Sequence, residues 1–193
     1  MGIPSVLNIS TYDAIAASAK GDPNSAATLV ASARVANTIR QSVAFMDYIS
    51  DGNFSEKSTT TLLLTEVAKK IVNGDLTPLE DANEIATALN SIISTSGYAH
   101  LAASADVIGA AKLSITADEM IVEAFSEIST PHSLAGKLAK IQAVVENTVI
   151  LGYDNLRVEG GTAANLAESL TKELLSGQIE TFSGVNVFPP DAP

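Results

Sequence analysis

Between Asp47 and Glu56 the chain reads Asp-Tyr-Ile-Ser-Asp-Gly-Asn-Phe-Ser-Glu. Carboxylate and amide oxygens gather there around a Gly turn, and such oxygens are the donors a hard cation takes. Asp47, Asp51, Asn53 and Glu56 are therefore candidate calcium ligands. Their spacing departs from an EF-hand loop, and solvated turn chemistry accounts for the same residues. Tyr153-Asp154-Asn155 takes the corresponding place later in the chain with fewer acids, which weakens the cation reading. No other cofactor is implied.

A second candidate is a recurring Asn-Thr pair, Asn37-Thr38 and Asn147-Thr148, each set deep in a long apolar helix pattern. Asn is a poor mid-helix residue because its amide competes with the backbone for hydrogen bonds. Each Asn calls for a reason. One is a bond to a neighbouring carbonyl that fixes register. Another is a polar contact to a ligand in the bundle centre, and a third is plain exposure to solvent.

Little else in the chain could do chemistry. His100 and His132 have no acid at helical spacing, and zinc needs several converging ligands. Gly160-Gly161-Thr162 precedes a helix, where an anion could bind, but the Lys of a P-loop is missing. No Ser sits in a Gly-x-Ser-x-Gly elbow. There is no Cys, so disulfides, thiolate ligands and thiol nucleophiles are excluded together. The sequence supports no enzyme.

The elements that must carry these residues are helices. Asp22-Pro23 and Thr130-Pro131 each pair a capping side chain with a Pro at the first helical position, where its missing N–H costs nothing. Thr77-Pro78-Leu79-Glu80 and Thr116-Ala117-Asp118-Glu119 read as capping boxes. Ser10 caps a short helix ahead of them, and Gly161-Thr162 opens the last. Gly74 and Gly177 sit where left-handed C-terminal caps belong. These signals give eight expected helices, over 11–20, 23–48, 58–73, 78–94, 98–112, 117–129, 131–151 and 163–175. Val185 to Phe188 alternates briefly, which reads as an extended tail.

Periodicity names the buried faces. Leu134, Leu138, Ile141, Val145 and Thr148 alternate four and three apart and make one stripe. Leu29, Ala33, Ala36 and Val43 make another. Val35, Ile39 and Met46 lie on a neighbouring face, so the second expected helix is apolar over much of its girth and should be buried on most sides. Ile85, Leu89 and Ile92 mark the fourth helix, and Ile121, Phe125 and Ile128 the sixth.

The first third of the chain is echoed in the last third. Beyond the Pro starts and the Asn-Thr pairs, both copies run through a Tyr, Tyr48 or Tyr153, into a polar stretch. Both end at a Gly, in Asn73-Gly74 or Ser176-Gly177. The expectation is two pseudo-symmetric three-helix units, about 9–74 and 115–177, within one domain spanning 1–188. The second and seventh helices should cross near the axis, with Ala31, Ala33 and Ala36 permitting close approach. Residues 189–193 read as a Pro-rich linker or tail, and Met1-Gly2 as the start of a segment cut from a longer chain.

Composition bounds the rest. The chain has 193 residues, 46% hydrophobic and 17% charged, with no Trp. Its core must be built from small and aliphatic side chains, which suits closely approaching helices. A formal net charge of −11 would repel nucleic acid and anionic lipid surfaces. No apolar run is long enough for a membrane span, and the first residues lack the pattern of a signal peptide.

Two stretches carry a resemblance. They are Leu7 to Ala17, and Gly21-Asp22-Pro23 followed by Ala33-Arg34-Val35-Ala36-Asn37-Thr38-Ile39-Arg40-Gln41. This pattern resembles an Ala-rich helical segment of very large bacterial secreted or surface proteins of the RTX or cadherin-like adhesin type. The resemblance implies an extracellular or cell-surface setting, and a protein, a glycan or neighbouring domains as partners. It attaches no catalytic residues. The expected function is thus a non-catalytic binding or structural module on an all-α fold. The alternative is a helical bundle that binds a small apolar ligand or pigment between its repeats.

Overall fold

The computed structural model describes residues 13, 16–17, 20–73, 80–97, 104–128 and 130–182. Among these residues every regular element is an α-helix. The seven are α1 Pro23–Ser50, α2 Glu56–Val72, α3 Ala82–Ser96, α4 Ser104–Glu127, α5 Pro131–Glu159, α6 Ala163–Ser169 and α7 Lys172–Thr181. The expected first helix falls mainly outside the described residues. So do Ser10, the Thr77-Pro78 box, Gly74, His100 and the 183–193 tail.

The Pro-marked starts form as the sequence dictates. Asp22 accepts from the Asn24 amide at 2.9 Å, and Thr130 from the Ser133 amide at 3.4 Å. Both supply an acceptor to amides that have no partner within the helix. Asp51 closes α1 in the left-handed region, at φ 50°. At α3 the cap is Asp81, which takes the Asn83 and Glu84 amides at 2.7 and 2.9 Å, so this helix begins at Ala82 and not at 78.

Three expected boundaries are corrected. The helices expected over 98–112 and 117–129 form one continuous helix, α4. Thr116 lies in its interior and donates to the Lys112 carbonyl at 3.1 Å, a bond to its own preceding turn that leaves no role for a cap. The seventh helix does not stop at 151 but runs to Glu159, with Gly152, Tyr153, Asp154 and Asn155 all helical. Leu166 packs closely against Gly152 within the helix: a Cβ there would lie 2.4 Å from Leu166 Cδ1. The eighth breaks at Leu170 into α6 and α7, and Gly177 falls inside α7.

Packing follows the apolar stripes. Leu134, Leu138, Ile141 and Val145 are buried on α5, and Ile85, Leu89 and Ile92 on α3. On α1, Leu29, Ala33 and Met46 are buried, but Val35 is 54% exposed. The helix is therefore not covered on every side. Its main neighbours are α4 and α5, α2 and α3 add smaller contacts, and the side that carries Val35 looks outward.

α1 and α5 pack along each other more extensively than any other pair of described helices. Their contacts ascend together: Gln142 reaches the Ala33 carbonyl at 3.4 Å, Arg40 pairs with Glu146, and Arg157 pairs with Asp47 at 2.7 Å. The two helices are hence parallel, with their prolines at the same level. α4 runs antiparallel to α1, since Arg34 meets Asp118 and Asn37 meets Ser114. It also packs on α3, α5, α6 and α7. The centre is thus three helices and not the expected pair, because the fused α4 is long enough to reach every other described helix except α2.

Candidate functional site

The polar residues singled out by type separate in space. Asn37 is buried on the α1 face towards α4, and its Nδ2 donates to the Ser114 carbonyl at 2.9 Å. Asn147 is exposed. Both helices run unbroken from their prolines, and Asn147 lies two residues deeper than Asn37. Two residues turn a helix by about 200°, which sends one amide into the core and the other to solvent. The two Asn are not brought together.

A test of this difference follows. Asn37→Ala removes a buried donor and is expected to cost about 1–2 kcal/mol. Asn147→Ala is expected to stay within about 0.5 kcal/mol of the parent. Denaturant melts of both variants check it, and equal losses would mean that Asn147 is tied down as Asn37 is.

The tyrosines behave oppositely. Tyr153 lies three residues nearer its proline than Tyr48 does, and three residues nearly complete a turn. Their faces therefore agree, and the rings stack with centroids 4.9 Å apart. Phe45 leans on both, at 6.5 Å from Tyr48 and 6.2 Å from Tyr153. Burial pushes the Tyr153 phenol far above its ordinary value, with Tyr48 and Asp106 adding to the effect.

The sign of the resulting pH dependence is fixed. With the folded pKa above the unfolded value of 10.0, the unfolded chain loses the Tyr153 proton first as pH rises. Stability tied to this group is complete below pH 10 and declines above it. Tyr153→Phe is expected to move the alkaline unfolding midpoint upward relative to the parent. Unchanged alkaline midpoints in circular dichroism would show that Tyr153 ionises freely in the fold.

The residues chosen as calcium ligands surround the end of α1. Asp47 is engaged by Arg157, whose guanidinium is held above its ordinary pKa chiefly by that hydrogen bond. Asp51 is the left-handed cap, and Asn53 turns its amide onto the Ser50 and Asp51 carbonyls at 2.8 and 3.3 Å. Glu56 opens α2 and is exposed. Among the described residues no group of three or more acids or histidines is placed to hold a metal ion. The local geometry is that of a capped helix end strapped to α5.

The glycine-rich helix start is likewise occupied from within. Thr162 and Asn165 form a reciprocal capping box at α6, and Asp106 Oδ1 accepts from the Ala163 amide at 2.7 Å. A carboxylate of α4 thus stands where an anion could have bound.

Two further features emerge only in three dimensions. One is a stripe on α1, with Arg34, Asn37 and Gln41 on the face towards α4. Arg34 binds both Asp118 oxygens through Nε, at 3.0 and 2.8 Å, and Glu80 through Nη1 at 3.2 Å. The hydrogen bond to Asp118 raises its pKa against the effect of burial. The three-four spacing of the stripe was visible, but the acids opposite it lie far away in sequence. The other is a shallow depression on the outer side of α2, about 320 Å³, lined by Thr65, Ala68, Lys69, Val72 and Asn73.

These features define an all-α bundle in which charged groups mainly join helices. No described helix is long and apolar enough to cross a membrane. No protein-family model, curated protein or solved structure matches the chain.

Proposed function

We propose that the chain is a non-catalytic structural or binding module of a large bacterial extracellular or cell-surface protein. The observation that carries this reading is the use made of its arginines. The chain has three, and each joins elements distant in sequence: Arg34 to Asp118 and Glu80, Arg40 to Glu146, and Arg157 to Asp47. Guanidinium groups available for binding or catalysis are instead invested in fixing helices against one another. The Ala-rich interior and the acidic exterior fit a rigid, well-solvated spacer or docking unit, with a protein, a glycan or neighbouring domains as partners.

The same proposal includes an origin by duplication, in units of about 9–74 and 115–177. Its support is the parallel packing of α1 and α5 with aligned prolines, and the stacking of Tyr48 on Tyr153. Residues equivalent across a twofold meet where they approach the axis. The upstream part of the second unit is now a segment of α4.

Surface labelling tests the setting. An antibody against the domain is expected to stain intact cells of the source organism, and brief protease treatment of those cells should remove the signal. Staining that appears only after lysis would defeat the proposal. Native mass spectrometry of the purified chain separates the alternative: a retained apolar ligand would favour a pigment- or ligand-binding bundle.

A further inference from the structure

Gln41 Oε1, Ser42 Oγ and Ser114 Oγ are buried side-chain oxygens with no hydrogen-bond partner among the described residues. Gln41 is 4% exposed, and Ser42 and Ser114 are each 1% exposed. An unpaired acceptor in such a place forfeits its hydration without return, at a cost comparable to a lost hydrogen bond. Native interiors resolve this with a protein donor or with ordered water.

The seam between α1 and α4 has the form that water requires. The antiparallel register set by Arg34 with Asp118, and by Asn37 with Ser114, brings Gln41 to the level of Ala110 and Ala111. At the level of this long polar side chain, α4 thus carries two of the smallest residues. Asn37, bonded to the Ser114 carbonyl, bounds the seam on one side. A buried water needs two to four polar partners. In this register the positions of Gln41 and Ser114 lie about one helical turn apart along the two helices.

From this geometry we infer that the α1–α4 seam is an internal hydration site, in which ordered water bridges Gln41 to Ser114. Its ligand is water held for longer than surface hydration.

Water-selective nuclear Overhauser and rotating-frame spectra of the whole chain test the inference directly, together with a crystal structure fine enough to show ordered water. The expected result is cross-peaks of the long-residence sign from water to the Gln41 side-chain amide and to the Ser114 backbone amide. Gln41→Met keeps the length and removes the acceptor, so the cross-peak to the Ser114 backbone amide should vanish while the fold spectrum persists. Ser114→Ala, a smaller change, should weaken the cross-peaks, and it carries the test if Gln41→Met does not fold.

The inference is overturned if the seam is dry. In that case the crystal structure would show the Ser42 and Ser114 hydroxyls turned onto the Thr38 and Ala110 carbonyls one turn back. Gln41 Oε1 would take a protein donor, and the parent would give no water cross-peak. Cross-peaks that survive unchanged in both variants would place the water elsewhere and overturn it equally.

Discussion

Gly109→Ala is expected to destabilise the protein by about 2–3 kcal/mol, although Ala is the better helix former by about 1 kcal/mol. The reason lies across the helix interface. A Cβ at Gly109 would stand 2.3 Å from the Ala163 carbonyl carbon and 2.3 Å from the Ala164 nitrogen. Those are backbone atoms, so no rotamer change relieves the contact. The start of α6 must move off α4, and the Asp106 bond to the Ala163 amide at 2.7 Å goes with it. For a chain of this size the loss corresponds to a fall in Tm of roughly 5–10 °C.

Gly152→Ala supplies the control. Its Cβ would also be crowded, at 2.4 Å from Leu166 Cδ1, but the obstacle is the far end of a flexible side chain. A loss of about 1 kcal/mol or less is expected there, since repacking and helix propensity oppose each other. Thermal melts of the two variants decide the matter. A Gly109→Ala protein as stable as its parent would mean that α6 does not dock on α4 as described.

Phe45→Ala is expected to cost more still, about 3–5 kcal/mol, because a fully buried aromatic leaves a cavity its neighbours cannot fill. Phe45 is wedged against Tyr48 and Tyr153, so its removal loosens the contact between α1 and α5 at their C-terminal ends. Near-ultraviolet circular dichroism should lose much of its tyrosine signal along with the drop in Tm. Phe45→Leu keeps most of the volume and is expected to lose far less. Equal melting of Phe45→Ala and the parent would show that the aromatic junction is not part of the packed core.

Most helices were legible because their signals are local. Asp22-Pro23 and Thr130-Pro131 act within one turn, and the stripe Leu134, Leu138, Ile141, Val145 reports a face that any core would cover. The misreadings share a different cause. Thr116-Ala117-Asp118-Glu119 has the composition of a helix start, yet Asp118 is drawn to Arg34 on another helix and Thr116 bonds back along α4. The helix expected over 131–151 does not end there: Leu166 packs on Gly152 and α5 continues. In each case a partner distant in sequence outweighs a local preference of about 1 kcal/mol.

The candidate site divides along the same line. Asn37 and Asn147 were chosen by residue type, and type alone could not say which of them is inside. Nor could it show that Arg157 lies on Asp47, or that the side-chain oxygens of Gln41 and Ser114 are both buried. The sequence by itself determined an all-α chain with Pro-marked helix starts, aliphatic stripes and an acidic surface, since capping and periodicity act over a turn or two. Only the tertiary structure decided which helices fuse, which Asn is buried, and which cation meets which carboxylate. Those outcomes depend on helix rotation and close approach between distant segments, and a shift of one residue turns a side chain by about 100°.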